Sequence, residues 1–228
     1  MFDKLLQNER QIGRFAWFAA WFGLVAGQLH ALARHRTEDG RSDLDLPLTR
    51  AWAEPMGDLL SPLLDWGSAD AVYLTYGKIW FPVFVAFTLC AFVVRRNRRP
   101  GGFEKWAWRV ALTGYVGACV CVFAEYWLMW TAVNDSLLTG VFVVTIPFML
   151  LTMIGSTMLG IALLRRGVRL PAILLVAAIP GLIVIPEITS LGNVVLPLAF
   201  AFGIWGRRIA REQSAAPAHR DLPSLTTT

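Results

Sequence analysis

The motifs of common soluble enzymes are missing from this sequence. No HExxH, CxxC or GxxxxGK[ST] pattern occurs, and the chain has only three histidines and three cysteines. That poverty argues against a zinc centre, a redox dithiol or a phosphate-binding loop. No cofactor and no metal is implied. Cys90, Cys119 and Cys121 all fall inside long apolar runs, so an oxidised structural framework is not expected. Cys119 and Cys121 stand two residues apart, which on a helix points them to different faces. Charge is also scarce, at 16% of 228 residues. The net charge of +5 does not point to nucleic acid, because the basic residues flank apolar runs, where the positive-inside effect places them. The basic residues are almost all arginine, a bias that fits a GC-rich bacterial genome. No internal repeat is visible, and Pro82, Pro147, Pro180 and Pro197 form no two-half arrangement. Both facts weigh against an inverted-repeat transporter.

Apolar residues, in contrast, are abundant, at 56% of the chain. A hydrocarbon core of ~30 Å takes about 20 helical residues to cross. Runs of that length recur at Phe15–Ala33, Ala71–Val94, Val110–Trp130 and Leu137–Leu164. They are too uniformly apolar for barrel strands, which alternate with period two. The stretch from Leu170 to Trp205 is interrupted by Pro180-Gly181, Pro186-Glu187 and Leu191-Gly192-Asn193. It reads as two short spans, Leu170–Ile185 and Leu191–Trp205, joined by a turn; a broken re-entrant segment is the other way to read it. The expected fold is all-α: a polytopic helical bundle of about six transmembrane helices.

Charge placement sets the orientation. With both termini inside, the inner segments carry 16 of the Lys and Arg residues, and the outer loops only Arg34, Arg36, Arg41 and Arg50. A single last span would put Arg207, Arg208 and Arg211 outside, against that bias. The expectation is a multi-pass protein of the bacterial inner (plasma) membrane with cytoplasmic termini. The basic start, apolar run and Ala31-Leu32-Ala33 resemble a secretory signal, but the run is long enough for a retained first span. Residues 1–211 then make one transmembrane domain. The 212–228 tail, rich in Ser, Ala, Pro and Thr, is expected to be disordered and cytoplasmic.

The outer loop, residues 34–70, holds half of the acids. Arg50, Glu54, Asp58, Ser61 and Asp65 recur at helical steps, and Trp52, Met56, Leu59, Leu60, Leu63 and Leu64 fill most positions between. That is an amphipathic helix pattern, with Pro55 and Pro62 as expected kinks. It can lie on the outer surface as a lid, or serve only as a capping loop.

Small residues suggest how the spans pack. Ala19, Gly23, Gly27 and Ala31 line one face of span 1, Ala111, Gly114 and Ala118 one face of span 3, and Thr152, Ser156 and Gly160 one face of span 4. Such stripes let helix backbones approach in lipid. They nominate spans 1, 3 and 4 as an inner group; Gly23 and Gly27 could equally dock a second copy or a larger membrane complex.

A layer of ionisable groups carries the functional hint. At ~1.5 Å of rise per residue, Glu125 sits ~7–8 Å and Lys78 ~10 Å below the outer ends of their spans. His30 is shallower, and Glu187 lies at the outer turn of the last hairpin. Helical phase turns His30 and Glu125 toward the bundle. An unpaired charge at that depth is costly, so such groups face protein or water and find partners. Lys78 is the natural partner for Glu125, and His30 the second. Trp127 and the other deep tryptophans could shape a cavity for an isoprenoid or a cation. Lys78 can also simply snorkel to the interface.

Three functional readings follow. The first is an outward-facing intramembrane polar pocket that binds a small hydrophobic or lipid-like molecule through Glu125, Lys78, His30, Glu187 and Trp127. The second is an intramembrane enzyme with Glu125 as catalytic general acid or base on a lipid or isoprenoid. The third is a non-catalytic subunit of a larger membrane complex. Membrane lipid is the common partner of all three.

Overall fold

The computed structural model describes residues 8–129 and 135–215. Among these, every regular element is helical, and four helices are long and apolar enough to cross a membrane: Glu9–Arg34, Ala69–Arg98, Gly102–Trp127 and Thr139–Leu164. Helix α1 is Glu9–Arg34. A 3-10 turn, Asp39–Asp45, then leads to α2, Pro47–Leu59, and the short α3, Ser61–Leu64. Next come α4, Ala69–Gly77, and α5, Trp80–Arg98, consecutive pieces of one rod broken at Lys78-Ile79. Helices α6, Gly102–Trp127, and α7, Asp135–Leu164, follow. The interrupted stretch forms α8, Leu170–Val176, and α9, Ala178–Val184, then a 3-10 turn, Leu191–Val195, and α10, Leu196–Ala215. Trp130, the expected end of span 3, lies outside the described residues. Helix α10 runs past Arg211 into the stretch expected to be disordered; residues 216–228 lie outside the described residues.

The two ends of the bundle are chemically different. At one end Glu9 binds Arg96 and, at 3.1 Å, Asn97. Beside it the buried Glu104 carboxylate takes Arg98 at 2.9 Å and Arg166 at 3.5 Å. Arg207 lies over the Trp17 ring at 4.7 Å and Arg98 over the Trp205 ring at 5.7 Å. The start of α1, the 99–101 turn, the 165–169 turn and the second half of α10 therefore meet. At the other end the 35–68 segment folds over the bundle. Arg36 binds the Gly57 carbonyl at 2.9 Å and the Asp65 carboxylate, and Tyr76 donates to the Leu63 carbonyl at 2.8 Å. Its apolar underside (Ala53 and Leu64) packs on Leu32, Ala33 and Val72. The expected kink at Pro62 is a full break: Pro62 opens the new helix α3, where its missing N–H costs nothing, whereas Pro55 is accommodated inside α2.

Helix packing departs from the expected trio. Spans 3 and 4 do associate closely: a Cβ on Gly155 would lie 2.5 Å from Ala111 backbone atoms, and one on Gly114 would lie 2.4 Å from the Thr152 nitrogen. Helix α1, however, pairs with α10 and α5. A Cβ on Gly13 would lie 2.3 Å from the Gly206 carbonyl oxygen. Gly23 and Gly27, which could equally have docked a second copy or a larger complex, meet this chain's own Val83 and Leu196, and Trp80 and Asn193, respectively. The small residues of α1 and α10 lie far apart in sequence, so a single-helix stripe does not name its partner. A buried aromatic group closes the centre, with Phe87 and Tyr115 rings at 5.2 Å and Tyr115 and Phe202 at 5.7 Å.

Candidate functional site

A cavity of about 230 Å³ lies between α1, α4, α5, α6, α7 and the 191–195 turn. Its polar end is built from His30, Arg34, Tyr73, Glu125 and Tyr126. The remainder is mostly apolar, with Phe84, Ala118, Val122, Ile146, Met149 and Met153 among the wall. Phe142, Ile146 and Leu191 line the cavity and are 48%, 43% and 42% exposed. The cavity thus reaches the side of the bundle between α7 and the 191–195 turn, an aspect lipid would cover.

Each polar group is set by local structure. His30 is 1% exposed and ringed by aromatics. Its ring stacks on Tyr73 at 4.8 Å and meets Tyr126 edge-on at 5.4 Å. Trp80 Nε1 donates to His30 Nδ1 at 3.2 Å. Indole N–H is a donor only, so Nδ1 must be the acceptor and the neutral ring carries its proton on Nε2. Among the described residues, His30 Nε2 and the cavity-lining Thr152 hydroxyl are buried with no hydrogen-bond partner. Gly77 lets Tyr126 approach: a Cβ there would fall 2.0 Å from its ring. The Tyr73 and Tyr126 hydroxyls meet at 3.2 Å.

Glu125 interacts with the Tyr126 hydroxyl, and Arg34 acts on it electrostatically. Among the described residues no ion pair joins Glu125 to Arg34; the Arg34 Nε instead holds Asp43 at 2.8 Å. A positive and a negative group therefore face one cavity without touching.

The structure brings together only part of the expected layer. Glu125 and His30 share the cavity. Lys78 does not line it: it sits at the α4–α5 break, and its carbonyl accepts from Trp127 Nε1 at 3.3 Å. Trp127 lies outside, stacked on Phe123 at 6.1 Å. Glu187 is exposed at the 185–190 turn, where its carbonyl accepts from Thr49 at 3.0 Å. The opposite charge in reach of Glu125 is thus Arg34, from a position that charge counting assigned to a loop. Tyr73 and Tyr126 went unnamed as site residues, and Trp80 was expected only as one of the deep tryptophans that could shape a cavity. Their signal was weak, since aromatics near span ends usually mark the interface.

The chain matches no protein-family model, no curated protein and no solved structure.

Proposed function

We propose that this chain is a six-span membrane protein with cytoplasmic termini whose outer half holds a binding pocket for a small or lipid-like molecule. The carrying observation is the cavity itself: Glu125, Arg34 and His30 gather at one end of an otherwise mostly apolar space. Support for six crossings comes from the two chemically distinct ends. The arginine-rich turns meet one another at one end, and the 185–190 turn meets the acidic 35–68 cap at the other. The bacterial inner membrane is the setting in which that basic end faces the cytoplasm.

Binding fits the chemistry of the space. At about 230 Å³ it is smaller than the ~300–1,000 Å³ of sites that bury a drug-sized ligand. It suits a headgroup and the first part of a chain, with the rest leaving sideways past Phe142, Ile146 and Leu191. The 35–68 cap covers the polar end, so access runs laterally from the bilayer.

Native mass spectrometry of the gently extracted protein beside Glu125→Gln tests the reading. A bound molecule seen with the wild type and lost or strongly reduced in the variant is the expected result. A bare chain in both samples, after extraction into lipid nanodiscs as well as detergent, sinks it.

A further inference from the structure

We infer that the pocket's ligand is a zwitterionic amphiphile carrying an ammonium and a phosphate, an aminophospholipid of the leaflet on the cap's side. The inference rests on the pocket reading above and deepens it. Its basis is the unjoined pair of charges. Glu125 and Arg34 act on one another across a single cavity, yet neither closes on the other. Each therefore keeps capacity for a ligand. Arg34 gives its Nε to Asp43 and also bonds the Tyr73 side chain, yet its guanidinium has five N–H donors, and the fork matches phosphate oxygens. Glu125 stands among the Tyr73, Tyr126, Trp80 and His30 rings, an electron-rich surround that favours an ammonium beside a carboxylate. One molecule bearing both charges answers both groups at once.

Other headgroups leave a mismatch. A phosphate with an uncharged polyol satisfies Arg34 but sets Glu125 beside a second anion. A simple cationic amphiphile satisfies Glu125 and meets Arg34. A neutral alcohol answers neither charge. The lateral mouth at Phe142, Ile146 and Leu191 favours a lipid source over a free zwitterion, because a chain can remain in the bilayer while the head is inserted.

The test is lipid binding by native mass spectrometry to the whole protein in detergent. The probes are 1-palmitoyl-2-oleoyl-phosphatidylethanolamine, the matching phosphatidylglycerol, and free O-phosphoethanolamine. The expected result is at least ten-fold tighter retention of the ethanolamine lipid than of the glycerol lipid, lost in both Glu125→Gln and Arg34→Gln. Ile146→Trp at the mouth, on an exposed position away from the charges, should also abolish it, so the test survives if a charge variant fails to fold. Equal retention of both lipids, or preference unchanged in Glu125→Gln and Ile146→Trp, overturns the headgroup assignment. If free O-phosphoethanolamine binds as tightly as the lipid, the lipid source is wrong. If a different molecule occupies the site and depends on Glu125, the pocket stands and only the headgroup falls; if nothing depends on Glu125 or Ile146, both fall.

Discussion

His30 shows how a single contact fixes chemistry. It is buried, its Nδ1 accepts from Trp80, and its Nε2 is left as a donor with no hydrogen-bond partner among the described residues. Trp80→Phe keeps the ring but removes the donor, so Nδ1 loses its partner and the tautomer is no longer imposed. The expected cost is about 1–3 kcal/mol, that of an unsatisfied buried polar group. Nitrogen NMR of isotope-labelled histidine should report protonated Nε2 in the wild type and a mixture in the variant; a mixture in both would refute the assignment. Glu125 and His30 were legible in the sequence because an ionisable residue inside an apolar run stands out whatever surrounds it. Arg34 was not, since it ends α1 and counts as a loop charge until the fold turns it inward. Lys78, the expected partner of Glu125, sits at the Lys78-Ile79 break between α4 and α5 and does not line the cavity; a helical phase count through that stretch does not anticipate the break.

At the scale of helices, apolar runs were readable because bilayer thickness dictates their length, whereas pairing depends on which small residues meet. Gly155 and Gly140 share α7 and make opposite predictions. A side chain at Gly155 would collide with Ala111 backbone, so Gly155→Leu should destabilise by about 1–3 kcal/mol or more as α6 and α7 are forced apart. Among the described residues nothing lies within 4 Å of a Cβ at Gly140, so Gly140→Ala should gain up to about 1 kcal/mol of helix propensity. Thermal unfolding in detergent reads both, and similar effects at the two positions would refute the close α6–α7 contact. The amphipathic 50–65 pattern was also legible, but its purpose was not. Three side chains of the cap segment reach three successive carbonyls of the 185–190 turn: Thr49 to Glu187, Trp52 to Ile188 and His35 to Thr189. Those bonds join residues more than a hundred positions apart, which no local pattern reveals. Thr49→Val with Trp52→Phe should raise hydrogen exchange across 185–195 while leaving α6 protected; unchanged exchange in that turn would show that the cap does not hold it.

The whole molecule is then a bundle whose cap is tied to the wall of its own cavity, because the 185–190 turn continues into Leu191, Gly192, Val194 and Val195 of the lining. That tie gives stability a dependence on pH. Burial holds the His35 imidazole below its ordinary value of 6.5, Arg34 adds to the effect, and Asp43 with the Thr189 carbonyl opposes it. Arg36, Glu54 and Asp58 line the same small space as His35. A histidine kept neutral by the fold contributes no penalty above 6.5, where the unfolded chain is neutral too. As pH falls below that value, the unfolded chain binds a proton that the folded chain resists, so stability is lost with acid. From about pH 7.5 to about pH 5.5 the unfolding temperature should therefore drop, and exchange in the 185–195 turn should rise with it. His35→Gln, which cannot titrate, should lessen that slope, while His30, also buried and neutral in the fold, keeps its share. A slope of equal steepness in His35→Gln would place the acid sensitivity elsewhere and leave the cap a passive cover. A flattened slope would mean that acid on the cap's side loosens the 191–195 wall of the cavity.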